Sequence, residues 1–482
     1  MPVDTPHKDY HYLAPLWQIC RDVDAGEPVV KGKGREYLPS LTGMDEEDYR
    51  SYLMNARLYN ALARTIQGFV GSAFRVAPHT EVLNPQMKEW LRDIDLAGLS
   101  LDGFLKKETQ DKFKTGRYGI RVDMRDEVGR PYFAPYTAEN IINWREEVVN
   151  GRKVIVQLVL RESEVMPKLD DEFEVEETEI YHVLDLVDGA CRLRLFRYDE
   201  KQRVWMMETP EPPNKQGVLL DFIPFIFDGI SDTTPDCEKP PLLDLALVNL
   251  GHYRSTADYY DAQRFSSKPQ GWVTGAGQQD QLRIGSRVVW MLPIGATTGY
   301  LEYTGAGIGA IRTSLIDDET RMARLGAAVI EEPKEGVESA ETSRINQSGK
   351  TSVLSSLTQT TGLAASAALR MAAWWGGMTD VWDDPRITCT LNQDFVEAKL
   401  SATDLLNLVQ SWQARGISRD TLTYNIKRGG LLPEGRTIED EIAKIDSEAP
   451  LMPEVEEDNL DEDQEEKPPP NEPEANTQEE AA

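Results

Sequence analysis

PPLLDLALVNLGHYRSTADYYDAQRFSSKPQGWVTG, residues 240–275, opens on two prolines, meets no other until Pro269, and closes on a short strand-like run. Within it Leu242, Ala246, Leu250, Tyr253, Ala257 and Tyr260 recur every three or four residues, the period of one helix face. The stretch therefore reads as a single long helix that follows the breaker-rich linker DTTPDCEKPP, residues 232–241, and projects far from its root.

Downstream, residues 267–310 hold Pro, Gly and short β-type runs, WVTG, RVVWMLP and TTGYLEYTG, which predict a small compact insert. A second helix follows in GAIRTSLIDDETRMARLGAAVI, with Ile311, Leu315, Met322, Leu325 and Val329 on one side. After the breaker run EEPKEG, residues 331–336, a third helix extends from about Ser339 to Trp375. Its interior is rich in Ser, Thr, Ala and Gly, with Gly349 and Gly362 inside it, so a bend is expected. RITCTLNQDF predicts a strand, and SATDLLNLVQSWQARGISRDTLTYNIKRGG predicts two helices split at Gly416-Ile417-Ser418.

Upstream, order is expected to begin near Tyr37. The stretch DEEDYRSYLMNARLYNALARTIQGFVGSAF, residues 45–74, has apolar side chains at helical spacing from Tyr49 to Phe69 and predicts one amphipathic helix. A further helix is expected between Ser100 as N-cap and Gly116 as stop. From Tyr118 to Phe227 the pattern turns to short runs such as GIRVDM, KVIVQLVLRESE, TEIYHVLDLV and RLRLFRY. Turn residues around Asn150-Gly151 and Asp188-Gly189 separate them, which predicts an antiparallel meander. The fold class is α+β.

The chain of 482 residues, 40% hydrophobic, can bury a sizeable core. It has no apolar run of membrane-spanning length, and its N-terminus resembles no signal peptide. Net charge is −30, and residues 448–480 alone carry 14 acids against Lys467. This proline-rich tail is expected to be disordered, since it has too little apolar surface to offset the entropy of ordering. With 52 Lys and Arg against 82 Asp and Glu, the chain is not built to grip nucleic acid over a large surface.

No chemistry-bearing constellation survives inspection. NQSGKTS, residues 346–352, ends like a phosphate loop, yet Arg344 stands where the loop needs glycine, and the preceding residues are helix-compatible. TGAGIGAI, residues 304–311, lacks the third glycine spacing and the βαβ context of a dinucleotide loop and reads as a flexible turn into a helix. The paired acids Asp317-Asp318 and Glu331-Glu332 point about 100° apart on a helix and form no metal pincer. His7 and His11 share a helical spacing but fall in a Pro-flanked segment expected to be loose, and Cys20, Cys191, Cys237 and Cys389 form no CxxC pair. No catalytic residue, metal site or cofactor is assigned.

The order of long helix, small β insert, long helix, breaker loop and long Ser/Thr/Ala-rich helix resembles the portal proteins of tailed bacteriophages. YRSYLMNARLYNALARTIQGFVGSAFR, PYFAPYTAENIINWR, the stretch quoted first, and Glu338-Ser339-Ala340-Glu341-Thr342 occur together and in order, over about Tyr37 to Ile445. The resemblance implies a portal-type fold: N-terminal arm 1–36, α/β wing 37–239, stem helix 240–266, small α/β clip 267–309 and second stem helix 310–329. Tunnel loop 330–338, kinked helix and return to the wing 339–400, helical crown 401–446 and disordered acidic tail 447–482 complete it.

It further implies a non-enzymatic, twelve-subunit ring at one capsid vertex of the virion, assembled in the host cytoplasm, through which double-stranded DNA is packaged and ejected. The implied partners are the terminase large subunit, a head-tail adaptor, the major capsid protein and a scaffold, with no membrane. Leu242, Leu250, Tyr253, Tyr260, Ile311, Leu315, Met322 and Leu325 would pack the stem, with apolar faces covered only in the ring. Glu331, Glu332, Pro333, Lys334, Glu335 and Gly336 would form the tunnel loop. Lys334, Arg344 and Lys350 would make either weak phosphate contacts or intersubunit salt bridges. The competing readings are a nucleotide-binding packaging factor using Gly349-Lys350-Thr351 and another structural head or adaptor protein.

Overall fold

The structure is a computed structural model. It describes residues 2–125, 128–149, 151–167, 173–199, 202–267, 270–275, 294–301, 306–326, 340–393, 395, 402–428 and 438–447. Two compact units result, residues 1–395 and 396–482.

Order begins well before Tyr37. Helix α1, Lys8–Ala25, is capped by the His7 side chain, which accepts the N–H of Asp9, and it buries Leu13, Trp17, Cys20 and Val23. Arg21 reaches across to Asp111 (2.6 and 2.9 Å) and Glu139 (2.7 Å), so the segment expected to be a loose arm is pinned to the core by a two-carboxylate clamp. Helix α2, Glu27–Gly32, follows at once.

The single helix expected over residues 45–74 is two: α3, Glu46–Asn55, and α4, Ala61–Ala73. The chain leaves helical geometry at Ala56 (ψ 140°), and the freed backbone groups find tertiary partners. Arg57 donates to Thr256 Oγ1 (2.9 Å), Leu58 donates to Glu27 (3.0 Å), and Asn60 caps α4 through Ala63 N (3.0 Å). Periodicity continued across the break because both helices face the same core, so sequence pattern alone could not see it.

Strand β1, His79–Glu81, and helix α5, Pro85–Trp90, lead to α6, Leu101–Thr115. Ser100 and Gly116 bound α6 as expected: the Ser100 hydroxyl accepts from Gly103 N at 3.3 Å, and Gly116 adopts φ 76°. The meander follows: β2 Arg117–Met124, β3 Pro131–Thr137, β4 Ile141–Val149, β5 Arg152–Pro167, β6 Val175–Val187, β7 Ala190–Asp199 and β8 Val204–Glu208. A small ladder, β9 Asn214–Lys215 with β10 Val218–Leu219, precedes β11, Phe225–Gly229.

All pairings are antiparallel. Strands β4 to β8 form one sheet in sequence order, and β11-β2-β3 form a second. Strands β3 and β4 carry no strand pattern in the sequence. Pro131 and Pro135 masked the first, and a register shift within Ile141–Asn143 interrupts the alternation of the second. Between the sheets and the helices lies the main core, including Trp90, Phe104, Phe133, Trp144, Phe227 and Trp375.

Helix α7, Leu243–Ser266, then leads to the ladder β12, Gln270–Thr274, with β13, Thr297–Leu301, and to α8, Ala306–Leu325. Helix α8 starts earlier than expected, so Gly307 and Gly309 lie inside it rather than in a turn. Helix α9, Ala340–Trp375, is one continuous helix of 36 residues. Strand β14, Thr388–Thr390, returns to pair with β1. No helix among the described residues is long and apolar enough to cross a membrane.

The second unit contains α10 Ala402–Gln413, α11 Arg419–Arg428 and α12 Ile438–Ser447. The expected split falls at Gly416 to Ser418, where the Ser418 hydroxyl accepts from Thr421 N (3.1 Å) and caps α11.

Candidate functional site

The root of α7 is locked into the chain by polar groups on its apolar face. Asn249, fully buried, accepts from Ala61 N (3.1 Å) and Leu62 N (3.2 Å), supplying the first two donors of α4, while its amide donates to Tyr59 O. Thr256 bridges both Arg57 backbone groups at 2.9 Å. Tyr52 donates to Asp258 (2.6 Å), and Arg254 donates to Tyr37 O (2.7 Å).

Beyond Asp258 the last turns of α7 leave the core, and Arg264 still donates to Ser51 of α3. Tyr260 is 40% exposed, whereas Leu242, Leu250 and Tyr253 are buried.

Helix α8 returns along α7 on a single seam. Leu315 and Met322 are buried, Ile311 and Asp318 half-buried, and most intervening positions, including Arg312, Ile316, Thr320 and Arg324, are exposed. His252 of α7, 4% exposed, lies 3.6 Å from Glu319 of α8 and beside the Tyr59 ring. Burial lowers its pKa against the opposing pull of Glu319 and Asp318. Gly326 ends the hairpin: a Cβ there would sit 2.6 Å from Thr65 Cγ2 and 2.8 Å from Leu245 Cδ2. The hairpin closes onto α4 only because this position has no side chain.

The C-terminal two-thirds of α9 is held by two devices. Lys112, with no exposed side-chain surface, donates to Asp228 (2.6 Å), Thr360 (2.9 Å), Thr361 (3.0 Å) and Leu357 O (3.3 Å). Glu108 lies in the same buried cluster, where desolvation together with the nearby Asp228 carboxylate raises its pKa well above the usual carboxylate range.

On another face of α9, Gly362 lets β14 approach until its Cys389 carbonyl would stand 2.9 Å from an added Cβ, and Ser366 Oγ accepts from Cys389 N at 2.8 Å. The small residues of this helix thus serve close packing of a strand, a use the bend expectation missed.

The predicted residues divide into groups. Leu242, Leu250, Tyr253, Leu315 and Met322 are already covered within one chain, by α3, α4 and the facing helix, which corrects the expectation that only a ring would bury them. Tyr260 and Leu325 are exposed, at 40% and 38%, and Ile311 is half-buried. Glu331, Glu332, Pro333, Lys334, Glu335 and Gly336 lie outside the described residues, as do the greater part of the insert and the acidic tail.

Arg344 and Lys350 occupy helix α9 with Cα positions about 120° apart around its axis, so they do not share a face. NQSGKTS is helical throughout. Among the described residues no three metal-ligating side chains converge.

A family profile described as "Domain of unknown function (DUF4055)" matches residues 241–376, the stretch from the start of α7 to the end of α9. No curated protein matches the chain. Among solved structures it is similar to a chain of the "Virion of native gene transfer agent (GTA) particle" (14% identity, TM-score 0.38, 84% of this chain and 99% of that one). It is also similar to chains of the "Neck of empty GTA particle computed with C6 symmetry" (13%, 0.38, 77% and 90%) and the "Neck of native GTA particle computed with C12 symmetry" (14%, 0.35, 77% and 90%).

Proposed function

We propose that this chain is the portal subunit of a tailed phage or phage-like particle, a non-enzymatic ring-forming protein at one vertex of the capsid. The observation that carries the reading is the continuous order of α7, the β12–β13 ladder, α8 and α9, with the hairpin rooted in the chain at one end and held by one seam along its length. In that reading α7 and α8 are the stem and the ladder is the root of the clip. Residues 330–338 are the tunnel loop between the stem and α9, and α10 to α12 form the crown.

The residue-level resemblance in four stretches supports it, as does the acidic balance. A conduit for DNA must let phosphates slide, and a ring dense in Lys and Arg would act as a brake. The clip would dock terminase and later the adaptor, while the wing would face capsid and scaffold. The nucleotide-binding alternative loses its motif, because Gly349-Lys350-Thr351 spends its backbone N–H groups inside a helix instead of a phosphate cradle.

Negative-stain imaging of the purified protein should give rings with a central channel. Particles assembled without it should be empty of DNA. Solid or non-circular assemblies, or normal packaging in its absence, would overturn the assignment.

A further inference from the structure

Strand β6 pairs with β5 from Val175 to Asp185, but with β7 only from Ile180 onward. Residues Val175–Glu179 therefore have a strand on one side and, among the described residues, none on the other. A free edge of this kind exposes alternate N–H and C=O groups to any extended chain that fits beside it.

The space beside that edge is shaped. A cavity of about 550 Å³ is lined by Asp4, Glu176, Glu177, Thr178, Glu179, Tyr198 and Trp205. Glu177 and Glu179 alternate with Tyr181 on one face of β6. On the neighbouring strands Trp205 sits edge-on to both Tyr181 and Tyr198, with ring centroids 5.0 and 5.1 Å away. Four carboxylates and an aromatic wall line the cavity with no basic side chain among them; the nearest, Arg161, reaches Glu179 at 3.7 Å from the β5 side. Exposed Val175 and Val165 extend an apolar strip along the same two-stranded arm.

We propose that this notch is a docking site for an extended, lysine- or arginine-bearing segment of a partner protein, which adds as a strand beside Val175–Glu179. Backbone hydrogen bonds to the free edge supply register. Cationic side chains meet Glu177 and Glu179, and one lies against Tyr198 and Trp205, where the aromatic faces favour a cation. Complementary charge selects the partner: the notch repels acidic strands and the phosphate backbone of DNA alike. The site belongs to the sheet and is independent of the helical hairpin.

Fluorescence anisotropy on the full chain tests this with a labelled ten-residue peptide alternating lysine and valine. Binding should weaken with salt and fall at least about tenfold in Glu177→Lys/Glu179→Gln, both exposed positions, with circular dichroism showing the fold retained. A peptide N-methylated at alternate residues should bind as poorly, and Trp205→Ala should weaken the unmodified peptide. Equal binding to the double variant, equal binding by the N-methylated or a glutamate-valine peptide, or displacement of the lysine peptide by a DNA duplex would each overturn the proposal.

Discussion

Asn249, in the second turn of α7, caps a different helix: its side-chain oxygen takes the N–H of Ala61 at 3.1 Å, and the same oxygen takes Leu62. The long helix and the helix beneath it are therefore ordered together. Asn249→Leu keeps the branched shape but removes the acceptor of the buried Leu62 N–H, at roughly 1–3 kcal/mol, while the Ala61 N–H and the Tyr59 carbonyl still hold each other at 2.7 Å. Urea denaturation should show a loss of about 1–3 kcal/mol, and Asn249→Asp should recover only part of it, since the amide donor is missing and a charge is buried.

Gly326→Ala places a methyl group within 3 Å of Thr65 and Leu245. Overpacking of this kind costs about 1–3 kcal/mol. Thr65→Ala should relieve part of it, so a double-mutant cycle on the thermal midpoint should give a coupling between the two sites; strict additivity would count against the close contact.

His252 contributes to pH dependence with a definite sign. Its folded pKa lies below 6.5, so the unfolded chain binds more protons, and stability falls as pH drops from 6.5 toward the folded value. Thermal midpoints from pH 8 to 5 should decline, and His252→Gln should flatten that decline.

Glu108 acts in the opposite direction. Its folded pKa is raised well above 4.5, so its contribution is present at low pH and fades as pH rises from 4.5 toward the folded pKa. Glu108→Gln keeps the shape of the side chain and has no proton to lose. The variant should therefore gain stability relative to the parent as pH increases, and a parallel pair of pH profiles would show the carboxyl is not protonated in the fold.

Leu247 and Ile316 are 46% and 53% exposed on the hairpin. If rings form through these helices, Leu247→Glu and Ile316→Glu should shift the protein to monomer in light scattering with little change in thermal midpoint. A ring that persists in both variants would place the subunit contact elsewhere.

Much of this architecture is written in local pattern. The α7 face, the bracketing of α6 by Ser100 and Gly116, and the strands from Arg152 onward each follow from periodicity and turn chemistry that neighbours in sequence supply. What the pattern did not carry depends on distant partners. Helix α1 is held by an arginine whose carboxylates lie at Asp111 and Glu139, the break before α4 is stabilised by Asn249 and Thr256, and Lys112 is buried because Asp228 and the α9 threonines enclose it. Gly326 and Gly362 look like flexibility in a one-dimensional reading and serve contact in three dimensions. A lone glycine next to a helix or within it gives no hint of which backbone will press against it.

The pairing of Thr80 with Cys389 spans 309 residues. On a ribosome making about 5–20 residues per second, β1 waits roughly 15–60 s for its only strand partner among the described residues. The face of α9 carrying Gly362 and Ser366 is covered at that same moment, so a chain that ends between Trp375 and Thr388 leaves both β1 and this helix face open. Strand β14 thus closes two elements at once, one made early in synthesis and one made just before it.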